Sequence, residues 1–378
     1  MSAPRVLVLH NRYRLPGGEE RAVEQHVGAL ARAGIGHRLL ERDSDGLPAP
    51  RAAAALVRGG EREDEVAAAV RSLPADVVHC HNMLPLLGPR ALSAARRAGA
   101  RVVLHLHNYR LFCGVYSGFR DGHACFRCRG RNTLPGLALN CRGSLPEAAA
   151  YAFALARHQP EVFRAVDRFV APSEAARRRL AWLGVPADRM VVVPNFLPAE
   201  GFATASRAGD GGFALAAGRI TAEKGFAVAV EAARTTGVPL RIAGDGPALP
   251  ALRELVERTR APVELLGRLE PRDLDLVRAD AALAVVPSLW EETFGLAALE
   301  AMGAGLPVAA FDVGALAEVT GSESCVPVGD ATALGARMAA LWGDRAARQQ
   351  EGEAALARAA RFSEERYVRD LLELYSPG

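Results

Sequence analysis

Short aliphatic runs recur along the chain and alternate with stretches whose apolar positions fall three and four residues apart. The runs predict strands buried in a sheet, and the intervening pattern predicts helices, so the alternation predicts parallel α/β architecture. In the first half the predicted strands are RVLVLH, HRLLER, DVVHCHN, RVVLHLHN, RFVAPS and MVVVPN; in the second they are FALAAGR, PLRIAGD, VELLGR, AALAVVP and LPVAAFD. The helical pattern ERAVEQHVGALARAG closes on Gly34, a residue suited to a helix end. Residues 197–212 hold Pro198, Gly201, Gly211 and Gly212 and predict a linker. The expected organisation is thus an α/β chain of two Rossmann-like, doubly wound parallel-sheet domains, 1–196 and 213–361, facing across a cleft. A last helix covers 362–378. Ligands of such sheets bind outside the carboxyl ends of the strands.

Composition sharpens this picture in two respects. Half of the 378 residues are hydrophobic but only 6% are aromatic, so both cores are to be built from Ala, Val and Leu. MSAPRVLVLHN runs directly into a strand, nothing resembles a signal peptide, and no apolar run approaches the roughly 20 residues that span a bilayer. A cytoplasmic protein is expected. Met1–Asn195 carries 28 arginines against 17 acids, about +11, whereas the remainder is about −8. The basic half suggests an anionic partner or peripheral contact with the inner face of a membrane. Arg177–Arg179, on an amphipathic pattern with Leu180, Trp182 and Leu183, would supply that contact; a solvated arginine face is the plainer reading.

The densest chemistry lies in Pro287–Pro307, PSLWEETFGLAALEAMGAGLP. A strand ends, a Thr293-Phe294-Gly295 turn follows, and an Ala-rich helix begins near Leu296. Its first amides, near Phe294–Leu296, lack intrahelical partners and suit an anion. Glu300, one turn further in, can accept hydrogen bonds from two neighbouring hydroxyls, as on a ribose, and Glu292 stands before the turn to reach a second polyol. Lys224 is the only lysine among 46 basic residues. Its retention in AAGRITAEKGF suggests that a compact ammonium is needed there. Together with Arg219 it can neutralise a diphosphate without a metal.

The block EETFGLAALEAMGAGLPV resembles the E-x7-E signature of retaining glycosyltransferases of the GT-B fold, family 4, and Gly218–Gly225 resembles that family's G-R-x4-K-G element. The resemblance implies a metal-independent hexosyltransferase that moves a sugar from a nucleotide diphosphate donor to a hydroxyl acceptor. Arg219, Lys224, Glu292 and His107 would be catalytic. HNRYRLPGGEE, with Gly17 and Gly18, resembles the element bordering the donor diphosphate. Gly244 and Asp245 resemble the turn beside the nucleotide, and Arg268 ends the strand that cradles the base. PNF at Pro194–Phe196 carries Phe where the family commonly has Gly, which puts a ligand role for Asn195 in doubt. The acceptor is expected to be a lipid-linked or otherwise anionic hydroxyl compound of cell-surface polysaccharide or glycolipid assembly, with a small secondary metabolite as the alternative.

Two His-x-His pairs, His79/His81 and His105/His107, end neighbouring strands, and period two places each pair on one face. His107 is where the family lines its sugar pocket; His79 and His105 read as hydrogen-bonded core residues, and a metal between the pairs is the sharper alternative. Cys113, Cys125, Cys128 and Cys141 gather around the turn FRDGHACFRCRG and suggest structural zinc, with free thiols and disulfides as rivals. A subset of the family shares such a segment, here expected over residues 108–145. Cys80 and Cys325 read as buried small hydrophobes. Asp43-Ser-Asp45 and Asp273-Leu-Asp275 fit a metal-binding string but read as solvated turns. Two further classes stand beside the enzyme: a non-catalytic partner subunit of the same fold, and an arginine-rich nucleic-acid binder, which the architecture disfavours, so no nucleic acid is expected.

Overall fold

The structure is a computed structural model that describes residues 3–13 and 17–376. Arg14, Leu15 and Pro16 of the predicted first loop lie outside the described residues. Two compact units emerge. The first runs to Arg120, takes in Cys125–Pro194 and regains the chain from Tyr367; the second holds Asp121–Ala124 and Asn195–Arg366.

The strands are β1 (Val6–Arg12), β2 (His37–Asp43), β3 (Val77–Asn82), β4 (Arg101–His105), β5 (Phe119–Arg120), β6 (His123–Ala124), β7 (Arg168–Ala171), β8 (Met190–Val192), β9 (Ala214–Ala217), β10 (Leu240–Ala243), β11 (Val263–Gly267), β12 (Leu283–Val286), β13 (Val308–Phe311) and β14 (Cys325–Val326). The first unit's sheet has the order β2-β1-β3-β4-β7-β8, and the second unit's has β11-β10-β9-β12-β13-β14. The strands of both sheets pair in parallel.

Parallel strands covered on both faces must be apolar throughout, and β1, β3, β12 and β13 are buried along nearly their whole length. The second order is that of a dinucleotide-binding sheet, and the first matches the flavodoxin-like winding over its leading strands. In each the order reverses beside the first strand, next to β3 in the first unit and next to β12 in the second. Crevices open at such switch points.

The predicted linker is packed rather than extended. Two 3-10 turns, Ala199–Gly201 and Ala208–Asp210, belong to the second unit, and Ala203 N donates to Gly303 O at 2.8 Å. The last helix, Glu364–Tyr375, contributes Tyr367, Leu371, Leu374 and Tyr375 as buried residues. Asp273 and Asp275 lie on the helix Pro271–Ala279, not in a turn, and Cys325 is only partly buried because β14 is the edge strand. Cys80, in the central β3, is fully buried as expected.

Candidate functional site

In the second unit three loops meet at the switch point. After β9 the chain leaves the sheet at Gly218 and passes through the 3-10 turn Ala222–Lys224 into the helix Phe226–Thr236. Its neighbours are the loop after β10, at Gly244–Pro247, and the segment after β12, at Pro287–Glu292. Backbone hydrogen bonds lock them together: Ile220 N to Asp245 O at 2.8 Å, Ala248 N to Ile220 O at 3.0 Å and Leu289 N to Glu223 O at 2.8 Å. The approach is so close that glycine is required. A Cβ on Gly244 (φ +151°) would fall 1.9 Å from Gly218 O, and one on Gly225 (φ +68°) 1.9 Å from Pro287 O.

The locked loops bring Lys224 against Glu292, with Nζ 2.6 Å from Oε1. Ser288 Oγ donates to the same oxygen at 2.6 Å, and the ammonium lies 5.2 Å from the Trp290 ring centroid. Glu292 is 7% exposed. Burial pushes its carboxyl up, but the Lys224 charge and the hydrogen bonds from Lys224, Ser288 and Trp290 outweigh it and hold the group below the usual carboxylate range. Lys224, whose side chain is 24% exposed, keeps a face toward solvent. Arg219 is partly buried on the same loop, whereas Asp245 and Arg268 are exposed at the ends of β10 and β11.

Gly295, at φ +100°, turns the chain into the helix Leu296–Gly303, and the amides of Ala298 and Leu299 close onto its carbonyl. Thr293 and Phe294 are buried. The Phe294 ring packs edge-on against Phe362 at 5.4 Å, so its side chain is a core element and only its backbone can serve a ligand. Glu300 is buried and pairs with Arg278, which also reaches Asp275 Oδ1 at 2.8 Å. Sequence reasoning missed Arg278; its setting among Leu274 and Val277 on a helix gave no sign of an inward guanidinium.

The first unit builds its own pocket, a cavity of about 30 Å³ whose lining includes Tyr13, Glu19, His81, His107, Asn108 and Arg110. Gly17 precedes the helix Gly18–Arg32, and its amide donates to Glu20 Oε2 at 2.7 Å. Tyr13 hydrogen-bonds Glu19 through its hydroxyl, Asn108 Nδ2 donates to Glu19 Oε2 at 2.8 Å, and Arg110 stacks over the Tyr13 ring at 4.0 Å. Burial raises the Glu19 carboxyl to about 7 although Arg110 opposes it. Burial likewise lowers His107 to about 3, so the imidazole is neutral near pH 7. Glu19, Asn108 and Arg110 were not singled out from sequence; the signal was their place beside GG and His107 at the ends of β1 and β4.

Two family descriptions tile the chain: "Glycosyl transferase 4-like domain" over residues 6–195 and "Glycosyl transferases group 1" over residues 212–344. This chain belongs to the glycosyltransferases with the 4-like domain. Among curated relatives, an exopolysaccharide phosphotransferase of Streptomyces coelicolor is 32% identical over 229 residues, covering 56% of this chain and 23% of that protein. A D-inositol 3-phosphate glycosyltransferase of Nocardia farcinica is 34% identical over 245 residues, 58% of this chain and 54% of the relative. The chain therefore spans about a quarter to a half of the length of these relatives. Among solved structures, HepE of Anabaena in complex with UDP-glucose aligns at TM-score 0.68 and 18% identity over 98% of this chain and 99% of its own. Sucrose-phosphate synthase of Thermosynechococcus elongatus aligns at 0.73 and 18% over 98% of each. At that identity the likeness establishes the GT-B fold.

In this glycosyltransferase the four clustered cysteines all line one cavity of about 20 Å³ in the first unit, with Phe112, Arg120 and Phe126. Burial raises the Cys113 thiol, and that of Cys128 to about 11. Arg120 Nη1 lies 3.6 Å from Cys141 Sγ. The helix Glu174–Leu183 packs on the same segment: Arg179 sits 4.5 Å over the Phe126 ring, and Arg177 pairs with Glu174 at 2.6 Å. All three arginines expected at a membrane thus have partners within the protein, Arg178 Nη1 lying 3.8 Å from Glu174 Oε1. No helix of the described residues is long and apolar enough to cross a membrane.

Proposed function

We propose that this glycosyltransferase moves a hexosyl group from a nucleotide diphosphate donor to a hydroxyl acceptor with retention at the anomeric carbon and without a catalytic metal. The observation that carries the reading is the Lys224–Glu292 pair, held beside Arg219 at the switch point of the second unit's sheet. The bond from the anomeric carbon to the leaving diphosphate breaks while the acceptor oxygen attacks from the same face, and the acceptor proton passes to the departing phosphate oxygen. Charge develops on that phosphate, where Arg219, Lys224 and the amides opening the helix Leu296–Gly303 stabilise it. Glu292 orients the donor sugar, Glu300 takes the ribose hydroxyls, Gly244, Asp245 and Arg268 border the nucleoside, and Gly17, Gly18 and His107 serve the sugar and acceptor side.

Support for a nucleotide sugar comes from HepE, solved with UDP-glucose. Support for a cell-surface glycan comes from the exopolysaccharide relative, and the D-inositol 3-phosphate enzyme agrees with an anionic acceptor. Structural zinc on Cys113, Cys125, Cys128 and Cys141 belongs to the same reading and acts on the fold. The test is nucleotide release from a panel of UDP-, GDP- and ADP-sugars incubated with the enzyme alone. Slow hydrolysis of one donor, abolished in Glu300→Ala, is the expected result. No hydrolysis and no nucleotide diphosphate binding by calorimetry would overturn the reading in favour of a non-catalytic subunit.

A further inference from the structure

Three histidines at and behind the first unit's pocket have no part in the sugar transfer proposed above. His26, on the helix Gly18–Arg32, and His79 and His81, on β3, are buried, with ring centroids 4.5 to 4.7 Å apart. A nitrogen of each ring lies within 4.8 Å of one from each of the others. The polar contacts divide these rings in a consistent way. His26 Nδ1 meets the Tyr367 hydroxyl at 2.7 Å, His79 Nδ1 meets the Tyr375 hydroxyl at 2.6 Å, and His81 Nδ1 meets His107 Nε2 at 2.8 Å. The three Nε2 atoms are all buried without a hydrogen-bond partner. Leaving three such atoms unsatisfied in one place is costly, and a native core avoids it unless something fills the gap.

We propose that His26, His79 and His81 form a binding site for a divalent first-row transition metal, zinc foremost, through their Nε2 atoms. With each Nδ1 proton given to a tyrosine oxygen or to His107, every Nε2 presents a lone pair, and the outer partners fix ring orientation as they do around known imidazole-bound metals. Three imidazoles suit zinc, cobalt or nickel, and the fourth position goes to water or hydroxide, the latter halving the buried charge. In the other trio, His81, His105 and His107, a nitrogen of each ring likewise lies within 4.8 Å of one from each of the others. It is the poorer site, since His107 Nε2 is already spent on His81. The metal would tie the first helix to β3, with both tyrosines of the last helix in the outer shell.

The test loads the purified full chain with Zn²⁺ or Co²⁺ alone and reads the coordination shell by X-ray absorption. A nitrogen shell at about 2.0–2.1 Å is expected, distinct from the sulfur shell at about 2.3 Å that the cysteines would give. Visible Co²⁺ bands without thiolate charge transfer should persist in the Cys125→Ser/Cys128→Ser variant and vanish in His79→Ala. Tyr375→Phe, which keeps the ring, should weaken affinity by roughly 10-fold or more. A sulfur-only shell, no retained metal, or full retention of the nitrogen shell in both His26→Ala and His79→Ala would overturn the proposal. Because the shell is read on the unaltered chain, a variant that fails to fold does not remove the test, and donor hydrolysis is not among its readouts.

Discussion

Replacing Lys224 by alanine removes an ammonium whose Nζ stands 2.6 Å from an oxygen of Glu292, a carboxylate only 7% exposed. Two consequences follow and can be measured apart. For stability, breaking a fully buried pair costs about 3–5 kcal/mol. Lys224 itself is 24% exposed, so the lower end, about 3 kcal/mol, is the expectation. For catalysis, loss of one preorganised charge at a developing anion lowers kcat by about 10²–10³-fold. Donor KM should change far less, because the charge acts chiefly on the departing phosphate. Initial rates of nucleotide release give the kinetic arm, and denaturant unfolding gives the other. The variant Lys224→Ala/Glu292→Gln separates the two roles. It removes the stranded carboxylate and should recover stability, yet it should stay slow. Turnover within about threefold of the parent in Lys224→Ala, or turnover restored by the double variant, would refute charge stabilisation by Lys224.

Glu300→Gln should raise donor KM, whereas Arg278→Leu, which strands the Glu300 carboxylate in the core, should cost about 3–5 kcal/mol in unfolding experiments. His10, His26 and His107 have folded values near 4, 3 and 3, against 6.5 unfolded. The unfolded chain therefore binds more protons below 6.5, and stability should fall as pH drops through that range, as denaturation at stepped pH will register. Glu19 acts in the opposite sense: its folded value, about 7, exceeds 4.5, so it removes stability as pH rises across that window, and the difference between Glu19→Gln and the parent should grow accordingly. Gly244→Ala, with its Cβ 1.9 Å from Gly218 O, should disrupt the interlocked loops and abolish donor binding by calorimetry.

The strands were legible because parallel strands buried on both faces announce themselves as unbroken aliphatic runs; each predicted strand is present. β14 was missed because two residues at a sheet edge carry no such run. The apparent linker misled for a related reason. Pro and Gly mark bends equally well whether the bends are solvated or, as at Gly303 against Leu197, pressed onto a helix. Lys224 and Glu292 could each be singled out in advance, since a solitary lysine and a turn-flanking glutamate stood out locally, but not that they pair. Arg278 and Ser288 could not: their roles depend on partners 22 and 4 residues away, whose orientation only the folded loops decide. Glu19 looked interchangeable with Glu20 in sequence and both are buried; only the contacts of Glu19 with Tyr13 and Asn108 distinguish them.

The helix Glu364–Tyr375 supplies Tyr367 to His26 across 341 residues of chain and Tyr375 to His79 across 296. The first sheet to leave the ribosome is therefore missing part of its own interior until the whole second unit has been made. During that interval the second unit has every strand it needs, while the earlier-born one holds two imidazoles, His26 and His79, without the hydroxyls they bond. Synthesis order and completion order run opposite to each other. Nascent chains stalled before Tyr367 should then look to chaperones and proteases like a finished second unit attached to an open first one.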